Sequence, residues 1–155
     1  MITIDPPVSP AEHPALSKSS LTRFLNRARV AVGLFGEVDV LLADDATLRR
    51  LNKTFRGKNK STDVLSFPAA ENDQEIAGDL AISLETAARQ ATLYGHSLRD
   101  EVCILLLHGL LHLSGLDHET DQGEMATREA ALRSQLRLPT TLIERATQPK
   151  RRRPA

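Results

Sequence analysis

Apolar residues fall at Leu21, Phe24, Leu25, Ala28, Val32 and Phe35, a spacing that predicts a helix over residues 21–34 with Gly36 as its stop. Ahead of it, residues 2–5 read as a short strand closed by Pro6 and Pro7. Residues 6–20 read as loop, with His13 exposed. Residues 37–43 alternate and then run apolar, as a half-buried strand does. Asp44 or Asp45 caps the next helix, which carries Leu48, Leu51 and Phe55. Residues 62–67, stopped by Pro68, and residues 76–83 supply two more strands, with the polar stretch 69–75 between them. Ser83 caps a helix over 84–94 that Gly95 ends. Ser97-Leu-Arg-Asp100 then opens a helix with a capping box, and the dense apolar run behind it predicts burial. Asp121 opens a last amphipathic helix with Met125, Ala130, Leu132 and Leu136 on its apolar positions. Pro139 ends it, leaving one further turn within 141–147. Strands mixed with helices through short connections predict one mixed sheet with helices packed on it.

A chain of 155 residues suffices for one domain with a real core. Apolar content of 41% and charged content of 26% are those of a soluble globular protein. The formal net charge is zero, so any polyanionic partner must be met by a local patch. Cys103, the one cysteine, lies in the buried helix, where packing is its expected role, and a lone cysteine excludes an internal disulfide framework. The amino terminus lacks a basic region followed by a long apolar run, and no stretch is long enough to span a bilayer. Both point to a cytoplasmic protein with no membrane partner. Residues 150–155 form a basic tail expected to be disordered, which leaves residues 1–149 as the domain.

Three of the five histidines fall in His108-Gly-Leu-Leu-His112-Leu-Ser-Gly115-Leu-Asp117-His118. On a helix His108 and His112 stand one turn apart on one face, with about 6 Å of rise between them. Gly115 provides a left-handed stop, and the returning chain delivers His118 to the pair. A single histidine on an apolar helix is ordinarily a core or surface residue. Three at this spacing make a three-nitrogen metal site with an open position, and zinc, one per chain, suits it best. Nickel, copper and iron also accept three imidazoles. The ligand spacing is that of the metzincin proteases, but their second position is a glutamate that serves as general base, and here it is Gly109. Glycine takes no proton, so peptide hydrolysis loses its catalyst while the metal stays.

A second feature is the run Arg49, Arg50, Lys53, Arg56, Lys58 and Lys60, with no acidic residue among them. A solvated helix face is the ordinary reading of such a run. Yet Arg56, Lys58 and Lys60 lie in a loop between helix and strand, where an arginine can grip phosphate through its planar fork and lysines can guide a polyanion. Only four Phe and one Tyr are present, so a base-stacking platform has little to be built from, and recognition is expected to lean on phosphate and shape. Asp117 either orients a ligand imidazole from behind or closes a turn. Asp79, at a strand start after Gly78, is read as structural, and His96 has no partner in sequence.

These residues resemble a known family, the bacterial YbeY rRNA endonucleases. The stretch from His108 to His118 resembles that family's histidine signature. Leu51-Asn-Lys-Thr-Phe-Arg56-Gly-Lys-Asn-Lys-Ser-Thr-Asp-Val-Leu-Ser-Phe-Pro68 resembles its second motif, and Gly78-Asp-Leu-Ala-Ile-Ser83 its third, in the family's order. Ser61 stands where proline is usual and Leu116 where an aromatic is common. Residues before Ser20 and after Pro139 lie outside the likeness. The resemblance implies an α+β fold, a small mixed sheet with packed helices. It also implies a zinc-dependent, single-strand-specific endoribonuclease acting in maturation of the small-subunit rRNA 3′ end and in ribosome quality control. Its partners would be single-stranded rRNA and the small subunit with its assembly factors. Zinc ligation carries over to His108, His112 and His118, and a functionally required arginine to Arg56.

Catalytic roles are accordingly expected of Arg56 and His112. A zinc-bound hydroxide could attack the phosphodiester, or the metal could activate the ribose 2′-hydroxyl or polarise a phosphoryl oxygen, with Arg56 stabilising the added charge. No general acid for the leaving oxygen is evident. Two other readings stand beside the nuclease. One is an RNA-binding assembly factor whose metal is mainly structural, although structural zinc normally has four protein ligands. The other is a metal-dependent hydrolase of substrates other than RNA.

Overall fold

The computed structural model describes residues 1–5, 16–70, 75–117 and 119–146. The strands β1 (Ile2–Ile4), β2 (Glu37–Ala43), β3 (Val64–Pro68) and β4 (Ile76–Ser83) form one sheet in the order β1-β2-β4-β3. β1, β2 and β4 run parallel, with Val40 opposite Leu80, and β3 is antiparallel to β4 at the edge, with Ser66 opposite Leu80. Parallel neighbours need long crossovers. The first holds α1 (Lys18–Val32), and the second holds α2 (Asp45–Arg56) together with β3. Four helices follow: α3 (Leu84–Tyr94), α4 (Leu98–Leu113), α5 (Glu124–Leu136) and α6 (Leu142–Ala146). The α+β class and the small mixed sheet are as expected.

Side chains alternate across a sheet, and here each face has its own cluster. Val38, Val40, Leu42, Leu80 and Ile82 join the main core with residues of α1 and α4. Leu41, Ala43, Leu65 and Ala81 gather with Leu48 and Leu51 of α2 on the other face. A helix apolar all round belongs inside the protein. Over residues 101–113 of α4, every residue but His112 is buried. Burial pushes the Cys103 thiol up to about 12, which makes it the packing residue the sequence suggested. His96 has a partner after all: its Nε2 lies 2.7 Å from Oε1 of Glu101, and both side chains are buried.

The first helix departs from its predicted bounds at both ends. Ser17 caps it, so residues 18–20 are helical rather than loop, and Gly33 ends it at φ 86°. Phe35 therefore falls outside the helix and is 90% exposed. Gly36 serves a different purpose, since a Cβ there would lie 3.0–3.1 Å from the backbone of Glu75 and Ala77, where β2 enters the sheet. The earlier part of the expected N-terminal loop, with His13, and the basic tail lie outside the described residues. No helix among the described residues is long and apolar enough to cross a membrane.

Asp44 is the cap of α2, accepting from the Thr47 amide, and this leaves Asp45 to join two helix starts. Its carboxylate accepts from the Ser83 hydroxyl at 2.5 Å, the Thr86 hydroxyl at 2.6 Å and Arg89 Nη2 at 2.9 Å. Burial works against its ionisation, but these donors outweigh it and bring the carboxyl to about 2 from an ordinary 3.8. A depressed folded pKa stabilises fully above the unfolded value, and that stabilisation is lost as pH falls through the folded one. Denaturant unfolding across pH 4 to 2 is therefore expected to show a steeper loss in the wild type than in Asp45→Asn.

Gly78 seats the edge strand against α4. It sits at φ 152°, and a Cβ there would meet Phe67 O at 2.6 Å and Leu113 Cδ2 at 2.7 Å. Backbone cannot yield as a side-chain tip can, so Gly78→Ala is expected to cost about 3 kcal/mol in denaturant melts.

Candidate metal centre and basic loop

The apolar run of α4 forces a helix whose last turn carries His108 and His112, and Gly109 lets that turn lie close to the sheet. A Cβ on Gly109 would meet Leu80 Cδ2 at 2.8 Å, and its carbonyl accepts from the Ser66 hydroxyl of β3 at 3.3 Å. A glutamate at this position would thus run into β4. His108 is 4% exposed, whereas His112 is half-buried and gives the pair its access to solvent. Their Nε2 atoms face each other at 3.1 Å, with the ring planes at 77°.

Behind His108 stands a residue that sequence reading missed. Oε2 of Glu129 lies 2.8 Å from His108 Nδ1, and Glu129 is fully buried on α5. Burial raises its pKa, but the hydrogen bond and charge of His108, aided by the Ile143 amide and the Thr141 hydroxyl, bring it below the ordinary value. An ionised carboxylate only accepts, so His108 donates to it from Nδ1 and turns its Nε2 toward His112. Two nitrogens held at 2.0–2.1 Å by a tetrahedral ion stand roughly 3.3 Å apart. The 3.1 Å separation is close to that spacing, and a carboxylate behind the imidazole is the usual support for a metal-binding histidine. The signal for Glu129 was in the sequence. Met125, Glu129, Leu132 and Leu136 are the buried stripe of α5, whereas Ala130, read as apolar face, is only half-buried. A charged residue on an apolar stripe demands a partner.

The chain turns as Gly115 allows, at φ 101°, and Leu116 packs against the main core. Asp117 closes the turn: its carbonyl accepts from the Thr120 and Asp121 amides and its Oδ1 from the Glu119 amide. The described carboxylate bonded to a histidine of this pair is Glu129. His118, the third expected ligand, lies outside the described residues, and among those described no group of three His, Cys, Asp or Glu side chains converges as a metal site.

Arg56, Lys58 and Lys60 come together elsewhere, at the exposed end of α2 on the opposite sheet face. Gly57 reverses the chain at φ 68°, and the Lys58 amide bonds back to Asn52 O. The buried Asn52 amide donates to Lys60 O at 3.0 Å, and Arg49 Nε donates to Asn59 Oδ1 at 2.9 Å. The loop is therefore sewn onto its own helix. No ion pair joins Arg56, Lys58 or Lys60 to a carboxylate among the described residues, so their charge faces water and any approaching anion.

The family described as "Endoribonuclease YbeY" matches residues 5–137. A protein of that name from Koribacter versatilis is 53% identical over 86% of this chain and 87% of its own length. One from Solibacter usitatus is 48% identical over 84% and 86%. A solution structure of a Thermotoga maritima protein superposes with a TM-score of 0.58 at 25% identity, covering 88% of this chain and 89% of that one.

Proposed function

Because the chain belongs to the YbeY endoribonuclease family, we propose that it is a metal-dependent endoribonuclease acting on single-stranded RNA. Its substrate is the 3′ region of small-subunit rRNA, and its setting is ribosome maturation and quality control in the cytoplasm, beside the small subunit and its assembly factors. The observation that carries this reading is the His108–His112 pair, with Nε2 atoms 3.1 Å apart and Glu129 fixing the tautomer of His108. One zinc ion would be held by His108, His112 and His118. When bound, it supplies a Lewis acid and a water acidic enough to ionise near neutral pH.

The protein's own groups do the rest. Glu129 accepts from His108 Nδ1 and so aims Nε2 toward His112. The two Nε2 atoms lie 3.1 Å apart, and ligation through both would place the proton of the His112 ring on its Nδ1. Arg56 offers a guanidinium with no carboxylate partner among the described residues, suited to the charge that builds on phosphate. Lys58 and Lys60 hold the strand's backbone by charge.

The test uses nuclease-free protein and a labelled single-stranded rRNA 3′-end fragment. Cleavage should vanish on metal stripping, return with zinc and be lost in Arg56→Ala. Cleavage that survives in His112→Ala would belong to a contaminant and refute the assignment. RNA binding without cleavage by any form would favour an assembly factor.

A further inference from the structure

Of the four phenylalanines, Phe24 is buried and Phe67 packs against the smaller core cluster, but Phe55 is 65% exposed. A solitary exposed apolar residue needs no explanation. Phe55 is not solitary. Its ring meets Phe67 edge to face, with centroids 5.3 Å apart and planes at 65°, so one side of it is held while most of it stays open to water. Exposed Arg56 follows it at the end of α2, and the sewn-back loop presents Lys58 and Lys60 beyond. No acidic residue occurs between Asp45 and Asp63. Phe35 is the control within the same molecule: it is more exposed, at 90%, yet its ring has no aromatic partner among the described residues and Glu37 follows close behind.

An oriented, open aromatic ring among unpaired cations suits a flat ligand with a negatively charged backbone. We propose that Phe55 is a stacking platform for one unpaired base of the RNA, with Arg56 and the lysines of the following loop taking the phosphates beside it. This rests on the RNA reading above and adds a specificity element to it. Bases inside a duplex keep their faces stacked on one another, whereas an unpaired base offers a free π-face. The ring thereby selects single strands at the point of binding. Phe67 and Ser66 project to opposite faces of β3, one touching Phe55 and the other the carbonyl of Gly109 beside His108. One edge strand therefore ties the platform to the histidine helix. The sequence leaves little to build a stacking platform from, and the proposal needs only one pair, Phe55 of α2 held by Phe67 of β3.

The chain has no tryptophan, so Phe55→Trp places a single fluorescent reporter on the platform. The probe is a short single-stranded 2′-O-methyl oligoribonucleotide, which resists cleavage, offered alone or annealed to its complement. Expected results are quenching of the reporter by the single strand and much less by the duplex. Anisotropy should give near wild-type affinity for Phe55→Trp and roughly tenfold weaker single-strand binding for Phe55→Leu, at unchanged melting temperature. Wild-type affinity in Phe55→Leu, or RNA bound to Phe55→Trp without quenching, overturns the platform and leaves the nuclease reading intact. Absence of RNA binding by any form, wild type included, overturns both.

Discussion

His112→Ala is expected to reduce RNA cleavage by ~10³-fold or more while leaving the fold nearly as stable as before. Removing a ligand forfeits the metal's contribution to the barrier, which is worth several kcal/mol in hydrolytic sites. His112 is half-buried, and losing its 3.1 Å contact to the neighbouring imidazole strands no buried carboxylate, so the substitution should cost about 1 kcal/mol. Zinc titration and cleavage of a single-stranded substrate check the first part, and denaturant melts of metal-free protein check the second. A His112→Ala protein that still takes up one zinc tightly and cleaves at the wild-type rate would remove His112 from the centre.

His108→Ala is expected to behave differently, although it is the same substitution one helical turn away. It should remove metal and activity and also destabilise the metal-free fold by about 3–5 kcal/mol, a fall in melting temperature of roughly 10 °C. The cause is Glu129, whose carboxylate is fully buried and would lose the 2.8 Å partner that keeps it ionised. Stranding a buried charge costs more than breaking an exposed contact. His108→Ala combined with Glu129→Leu should recover much of that stability while remaining unable to bind metal. Equal melts for His108→Ala and His112→Ala would show that the carboxylate is satisfied some other way. The two histidines thus divide the work: His108 joins α4 to α5, and His112 gives the pair its access to solvent.

The sequence by itself determined what local geometry determines. A helix puts positions 108 and 112 on one face whatever surrounds it, and the apolar run after Ser97 could only be a buried helix. Gly109 in place of an acid argues against peptide hydrolysis from the sequence alone. The basic loop was legible for the same reason, since Gly57 and the residues beside it form a local reversal. Gly33 and Gly36 were both able to stop α1, and the choice fell to the close approach of β2 to residues 75 and 77, a contact between distant segments. Tertiary structure alone decided the strand order β1-β2-β4-β3, the bond from His108 to a carboxylate 21 positions away, and the meeting of Phe55 with Phe67. Periodicity tells which side of an element is buried and not what it is buried against. That partner is set by packing among segments far apart in the chain, and there the buried charge of Glu129 and the open ring of Phe55 acquired their meaning.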